Sequence, residues 1–304
     1  MRSIPLPGPG EEPASRHEPS IHRGSPPDAP PAIRTLLKEL GLRPQKGFGQ
    51  NFLVNEDILR KIVDAGDIGT NEVVLEVGPG LGHLTRHLAA RAARVVAIEI
   101  DRGLVQALRK MFQGVPTVEI VEKDVLEVDP ADYVGEHPYK VIANLPYYIT
   151  SSAIRHFLEA SRRPVLLVIM VQREVAYRIL APPGDLNLLA ISVQAYGRPR
   201  LITRVPAGAF YPRPKVDSIV LRIDVFDRPR INVPPEKFFK VASAGFAMPR
   251  KQLHNALAQR LWMPPGSAPE ILRSVGIDPT RRPQTLSIEE WDRLTRELES
   301  RGLI

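Results

Sequence analysis

Val73-Val74-Leu75-Glu76-Val77-Gly78-Pro79-Gly80-Leu81-Gly82 is an apolar run that ends in a glycine-rich turn. The run predicts a buried strand over 73–77, and the turn predicts a close approach of backbone to a ligand before a helix over 81–91. A second strand is expected over 95–100 and carries Glu99 near its C-terminal end, 21 residues after Gly78. A Rossmann-type sheet sets a carboxylate on ribose hydroxyls at that place, so the expected ligand is a nucleoside. The dinucleotide fingerprint needs a third glycine where this chain has His83, which disfavours a pyrophosphate. Glu76 before the turn and Asp124 after the third strand would put further carboxylates around the same ligand. Such a ring suits a cationic sulfonium that also bears an ammonium group, and Asp124 is placed to accept from an adenine amine. The expected cofactor is S-adenosyl-L-methionine.

Working outward, strands are predicted over 118–121, 141–144, 165–171, 201–205 and 219–225, with helices over 102–111, 151–160 and 172–180 between them. This alternation predicts an α/β fold of the Rossmann-like, S-adenosylmethionine-dependent (class I) kind, a mainly parallel sheet with helices on both faces. The last two strands have no helix between them and predict an antiparallel hairpin at one edge. Beyond Pro234 the strand pattern stops, and helices are expected over 236–247, 250–260, 268–275 and 288–299. Ser287 followed by Glu290 is a capping-box pattern for the last. The expected division is a proline-rich disordered tail over 1–30, a cofactor-binding domain over 31–230 that opens with a helix over 32–40, and a helical RNA-binding domain over 231–304. The tail holds eight prolines and little apolar periodicity, too little to offset the entropy of ordering it.

The strand over 141–144 ends in Asn144-Leu145-Pro146-Tyr147, 66 residues after Gly78, at the sheet edge where ligands bind in open α/β folds. These residue types suit methyl transfer to an exocyclic adenine amine, whose lone pair is delocalised into the ring. The Asn144 amide oxygen and the Leu145 backbone carbonyl can accept hydrogen bonds from that amine as it turns tetrahedral, and Pro146 sets the direction of the carbonyl. Tyr147 offers an aromatic face to a base taken out of its stack. No strong general base is required, because the amine becomes acidic only after methylation.

The net charge of +7 lies in the folded part, since the first thirty residues carry three arginines against four carboxylates. A basic surplus commonly marks a polyanionic partner. The longest apolar run, over 165–171, is too short to span a bilayer, no secretory signal stands at the N-terminus, and the absence of cysteine excludes disulfides and thiolate metal sites. A cytoplasmic enzyme with no metal and no membrane association is expected.

Several motifs in order then resemble the ribosomal RNA adenine dimethylase family over about residues 31 to 300. They are Lys46-Gly47-Phe48-Gly49-Gln50-Asn51-Phe52-Leu53, the glycine turn, Ile98-Glu99-Ile100-Asp101, Asn144 to Tyr147, Val171-Gln172-Arg173-Glu174-Val175-Ala176, Phe210-Tyr211-Pro212-Arg213-Pro214-Lys215-Val216-Asp217-Ser218, and the basic helix from Arg250-Lys251 to Leu257. The resemblance implies cofactor contacts from Asn51, Leu53, Gly78, Glu99, Asp124 and Asn144, and a target base held between Tyr147 and Phe210. It further implies N6,N6-dimethylation of two adjacent adenosines in a hairpin near the 3′ end of small-subunit (16S) rRNA, on the pre-30S particle, by a monomer. Phe48 to Phe52 are expected to close over the cofactor and exclude water. Two departures are Ser152, where many relatives have proline, and residues 184–188, which lack the usual tyrosine-glycine pair.

Three rival readings stay in view. A large-subunit rRNA dimethylase shares fold and chemistry but usually has isoleucine at the position of Leu145. A non-catalytic assembly factor would have no need to keep Asn144 and the six cofactor positions. A DNA adenine methyltransferase usually has two prolines in the catalytic loop. His83 and His87, four apart, are expected on a solvated helix face and not as a metal pair. Trp262 and Trp291 are expected to pack within the helical domain, and Arg250, Lys251 and Arg260 to meet RNA phosphates.

Overall fold

The computed structural model describes residues 33–42 and 50–304. The expected tail and residues 46–49 of the lead-in motif, Phe48 among them, lie outside the described residues. In chain order the elements are α1 (Ile33–Glu39), β1 (Phe52–Leu53), α2 (Glu56–Ala65), β2 (Val73–Val77), α3 (His83–Ala89), β3 (Arg94–Glu99), α4 (Arg102–Met111), β4 (Val118–Glu122), α5 (Ala131–Val134), β5 (Tyr139–Asn144), α6 (Thr150–Glu159), β6 (Leu166–Gln172), α7 (Arg173–Ile179), α8 (Leu188–Gln194), β7 (Gly197–Val205), β8 (Phe210–Tyr211) and β9 (Ser218–Val225). Four helices follow: α9 (Pro235–Phe246), α10 (Leu253–Arg260), α11 (Ser267–Ser274) and α12 (Ile288–Ser300).

Among the described residues the main sheet has seven strands in the order β4-β3-β2-β5-β6-β9-β7. The five on the β4 side run parallel, β9 pairs antiparallel with β6, and β7 closes the edge antiparallel to β9. The sheet twofold repeat sorts the side chains. Val73, Leu75 and Val77 enter the core with α6 and α8, whereas Val74 faces the core with α2 and α3, built from Ile58, Leu59, Ile62, Val63, Leu84 and Leu88. By the same alternation Glu76, between Leu75 and Val77, points to the α2–α3 side. That puts a carboxylate into an apolar layer and makes it a functional candidate.

Helix α2 was not predicted. Asn55 caps it, accepting from the Ile58 N–H at 3.0 Å, and Ile58, Leu59, Ile62 and Val63 form its buried stripe. Helix α8 was missed as well, because its apolar sequence has no polar face to reveal a period; Asn187 caps it at Ala190. The helix expected over 81–91 begins only at His83, since Gly82 has φ +76 and belongs to the turn.

The C-terminal helices share one continuous core with the sheet, through Phe238, Phe239, Trp291, Leu294 and Leu298. Helix α9 comes so close to α12 that a Cβ at Gly245 would lie 2.4 Å from the Trp291 ring. The capping box is present: Glu290 N–H donates to Ser287 and the Ser287 N–H donates to the Glu290 carboxylate. Asp292, almost wholly buried, accepts from the backbone and side chain of Asn232 and so ties α12 to the segment that leaves the sheet. Two expectations need correction. Helix α10 starts at Leu253, whose N–H donates to the Arg281 carbonyl, so Arg250 and Lys251 stand in the turn before it. Trp291 packs inside as expected, but Trp262 is 91% exposed at φ +53, turned outward by the reversal that follows α10.

Candidate active site

The C-terminal ends of β3, β2 and β5 open into a cleft lined by Gln50 to Leu53, the glycine turn, Glu99 and the loop from Asn144 to Tyr148. Its floor is the turn Gly78 to Leu81. Gly78, Gly80 and Gly82 all have positive φ, which L side chains rarely adopt. At Gly82 there is also no room, because a Cβ would meet the Phe112 ring at 2.8 Å and Leu108 at 3.1 Å. The glycine spacing thus lets α3 begin directly beneath a ligand.

On the β3 side stands Glu99, nearly buried. Its Oε1 accepts from the N–H groups of Ile100 and Asp101, both at 3.0 Å, and its Oε2 accepts from Gly80 N–H at 3.3 Å. Burial pushes this carboxyl above its ordinary range, and the three backbone donors oppose the shift. The carboxylate is therefore rigid and keeps acceptor capacity toward the cleft, as a pair of ribose hydroxyls requires.

The lead-in wall, Gln50 to Leu53, is tethered on four sides. Strand β1 pairs with β8, Leu53 opposite Phe210. Gln50 donates to Asp101 at 3.0 Å, Asn144 Nδ2 donates to the Asn51 carbonyl at 3.3 Å, and His83 Nδ1 lies 2.9 Å from the Leu53 carbonyl. Because the Asn144 amide nitrogen is spent on Asn51, its Oδ1 is the atom left to accept from a ligand.

Beyond Asn144, Leu145 is buried, Pro146 and Tyr147 are half-buried, and Tyr148 is exposed at the rim. The Tyr147 hydroxyl is 3.0 Å from Ser218 Oγ on β9, which holds the ring in place. Burial raises its pKa, and the Ser218 bond acts against this. Tyr148 is raised first by burial and then by the charges of Asp124 and Glu99, so its hydroxyl lies toward the nucleoside end.

Of the residues expected from sequence, Asn51, Leu53, Gly78, Glu99, Asn144, Leu145, Pro146 and Tyr147 all line this one cleft. Asp124 is not on its wall; one carboxylate oxygen accepts from Leu126 N–H at 2.9 Å, and its charge acts on the Tyr148 hydroxyl. Phe210 is not on the wall either. It is 5% exposed, packed with Leu53, Val205 and Ala209, and backs β1 in place of facing the cleft. Sequence reasoning missed Ile100 and Tyr148 as wall residues. The doubled tyrosine after Pro146 was the available signal for Tyr148.

His83 and His87 are not on a solvated face. His83 is 9% exposed and bonded to β1, and His87 Nε2 is 2.8 Å from Glu56 on α2. The reason is that α3 lies between α2 and the cleft, so its first turn has no outer side. Among the described residues no three His, Cys, Asp or Glu side chains come together as a metal site, and no helix is long and apolar enough to cross a membrane.

Comparison with known proteins supplies the lineage. Residues 41–299 match the family model described as ribosomal RNA adenine dimethylase. The chain is 46% identical over 270 residues to the ribosomal RNA small subunit methyltransferase A of Dehalococcoides mccartyi, covering 87% of this chain and 93% of that protein. It is 46% identical over 276 residues to the enzyme of the same name from Moorella thermoacetica, covering 87% and 96%. Among solved structures, a dimethyladenosine transferase from Plasmodium falciparum shares the fold with TM-score 0.72 at 24% identity, covering 83% of this chain and 98% of that one. The 23S rRNA methyltransferase ErmE aligns with TM-score 0.64 at 27% identity, covering 82% and 100%. With a cleft at the strand ends, an asparagine-led loop at its mouth and a match over most of its length, the chain belongs to the ribosomal RNA adenine dimethylase family.

Proposed function

We propose that this chain, an S-adenosyl-L-methionine-dependent RNA adenine dimethylase by family, acts on two adjacent adenosines in a hairpin near the 3′ end of small-subunit rRNA. It works as a monomer on the pre-30S particle in the cytoplasm. The observation that carries the chemistry is the Asn144 amide, whose nitrogen is committed to Asn51 and whose oxygen is thereby presented at the end of β5. The choice of the small subunit rests on 46% identity to enzymes so named and on Leu145 in the catalytic loop.

The residues present fit the donor. In sheet order, Glu99 at β3 suits the ribose, Gly78 and Glu76 at β2 the amino-acid part and Asn144 at β5 the reacting end, while Asp124, past the end of β4 and off the cleft wall, meets an adenine amine only if the adenine extends past Tyr148 at the rim. When bound, the donor would supply a methyl group from a positively charged sulfur, which takes the electron pair of the broken carbon–sulfur bond and leaves as a neutral thioether. In the first transfer Asn144 Oδ1 and the Leu145 carbonyl hold the two hydrogens of the target amine, and in the second one of them holds the hydrogen that remains, so that the lone pair turns toward the methyl. The positive charge growing on nitrogen is stabilised by those two fixed oxygens. After transfer the nitrogen is acidic and releases its proton to solvent. Tyr147, its ring fixed by Ser218, provides the face on which the extruded base rests. Phe210 stiffens this arrangement through Leu53, and it meets the base only if its side chain leaves the core.

The helical part, residues 231–304, supplies RNA contacts. Arg178, Arg250 and Arg282 line a second groove between it and the α7–α8 segment, together with Tyr177 and with Asp185 and Asn187 of the departing stretch 184–188. Three guanidinium groups and an exposed aromatic ring suit a phosphate backbone. Separate incubation of purified small and large ribosomal subunits with the enzyme and donor tests the reading. Dimethyladenosine is expected in small-subunit RNA; its appearance in large-subunit RNA alone would overturn the choice of substrate.

A further inference from the structure

Helix α10 ends in an arrangement that usually belongs to glycine. Leu261 closes the helix, its N–H donating to the Leu257 carbonyl at 2.9 Å, and the Met263 N–H reaches back to the Ala258 carbonyl at 3.0 Å. This back-bond is that of a Schellman end, and it holds the residue between, Trp262, in the left-handed region at φ +53. A large side chain is strained there, where glycine would fit without strain. Met263 is buried in the core shared with the sheet, and Pro264 and Pro265 follow it, so the backbone that presents the indole is fixed on both sides. The indole itself is 91% exposed. Nothing within the fold requires an aromatic ring at this place.

The neighbours of Trp262 show what kind of surface it belongs to. Gln252, Asn255 and Gln259 lie three and four residues apart and are all exposed, so they share the outer face of α10, and by the same spacing Trp262 stands at the end of the row. Lys251 and Arg260, both exposed, flank the row at its two ends. From Lys237 to Pro269 the chain has no Asp or Glu, and it carries Lys237, Lys240, Arg250, Lys251 and Arg260. Among the described residues only Lys237 of these five is in an ion pair, with Glu299. Glu270, the next carboxylate along the chain, is itself paired with Arg301. Charge of one sign beside a row of amides complements a polyanion, which favours RNA over a protein partner.

We propose that Trp262 is a stacking platform for one unpaired base of the RNA substrate, outside the cleft that holds the target adenosine, with Asn255 and Gln259 toward ribose and base edges and Arg260 toward phosphate. This rests on the RNA substrate assigned above and adds the feature of it that the helical part grips. That feature is a loop or bulge, because bases inside a duplex do not expose their faces. An indole stacks on any base, so the site reads that a base is unpaired and not which base it is. A ring already held outward on a fixed backbone loses little freedom on binding, which is what the strained position of Trp262 gives in return.

The test uses the full chain and purified small ribosomal subunits, with binding read by filter retention over a series of salt concentrations. Wild type, Trp262→Phe, Trp262→Ala and Trp262→Gly are compared. Trp262→Ala is expected to weaken binding about tenfold, the loss of one stacked base, with an unchanged slope of log affinity against log salt. Trp262→Phe keeps an aromatic face and should bind within about threefold of wild type. Trp262→Gly should bind as poorly as the alanine variant, yet unfold at no lower urea concentration than wild type, because it relieves the left-handed φ. A benzophenone-bearing amino acid at position 262, irradiated in the complex, is expected to crosslink to an unpaired nucleotide of the RNA. Unchanged binding by Trp262→Ala, an equal loss in Trp262→Phe, lower stability of Trp262→Gly, or a crosslink to a ribosomal protein or to nothing would each overturn the proposal. Failure of the wild type to methylate small subunits would instead overturn the substrate reading on which it rests.

Discussion

Replacing Glu76 by glutamine should make the ligand-free protein more stable, and increasingly so as the pH rises. The side chain is 1% exposed in an apolar layer. Burial lifts its carboxyl from 4.5 to about 8, with the Thr85 hydroxyl working against the shift and the charge of Glu99 adding to it. Between those two values the folded protein holds a proton that the unfolded chain has released. The unfolded state then binds fewer protons, so stability falls as pH rises. The contribution of Glu76 is whole below pH 4.5, declines through the interval and is lost above 8. At about 1.4 kcal/mol per unit, the penalty is about 3 kcal/mol at pH 7 and at most about 5 kcal/mol above pH 8. Glutamine has nearly the same shape and does not titrate. Its buried amide carries its own cost, but that cost does not vary with pH, so the difference in slope is the quantity to measure. Urea unfolding of both ligand-free proteins at half-unit steps from pH 5 to pH 8.5 reads it directly. Glu99 titrates in both proteins and largely cancels. Parallel stability profiles would refute the reasoning, because they would mean that Glu76 is ionised and solvated in the folded chain. Stability is thus surrendered at a residue that lines the cleft.

Asn144→Ala should lower the single-turnover methyl-transfer rate by about 10²–10³-fold, the loss expected for one transition-state hydrogen-bonding group, while filter binding of RNA is retained; an unchanged rate would remove Asn144 from the mechanism. Gly82→Ala meets both a left-handed φ and the Phe112 ring at 2.8 Å, and should lower the unfolding free energy measured in urea by more than about 1 kcal/mol. Asp101→Ala removes the cap accepted from Gly103 and Leu104 at the start of α4 and the Gln50 tether in one step. It should cost about 1–2 kcal/mol in denaturant unfolding and weaken donor binding measured by calorimetry. Trp262→Ala, at a position 91% exposed, should leave stability within about 0.5 kcal/mol in the same unfolding assay.

The cleft was legible in the chain because its floor and both flanking carboxylates follow from local rules. A strand, a positive-φ turn and a helix are contiguous in sequence, so Glu76 to Gly82 announces itself without knowledge of the rest. Glu99 and Asn144 were found for a related reason, since parallel strands bring their C-terminal ends to one edge whatever the intervening helices contain. Misreadings arose where position depends on partners far along the chain. Phe210 was expected at the target base, yet pairing of β8 with β1 turns it into the core opposite Leu53. The start of α10 was misplaced because Leu253 is pinned by Arg281, which periodicity cannot see. The outward turn of Trp262 is likewise a matter of backbone reversal and not of residue type.

The sequence by itself determined the fold class, the glycine turn after β2 and the loop after β5, because each is written in a contiguous stretch whose propensities and spacing agree. Only the tertiary structure decided what the buried polar atoms do. Helix periodicity put His83 on the surface, while the packing of α3 between α2 and the cleft buries it, binds one ring nitrogen to Leu53 and leaves the other without a hydrogen-bond partner among the described residues. Burial and hydrogen-bond completeness belong to the assembled molecule, where groups distant in the chain exclude water from one another, and no single stretch of residues encodes them.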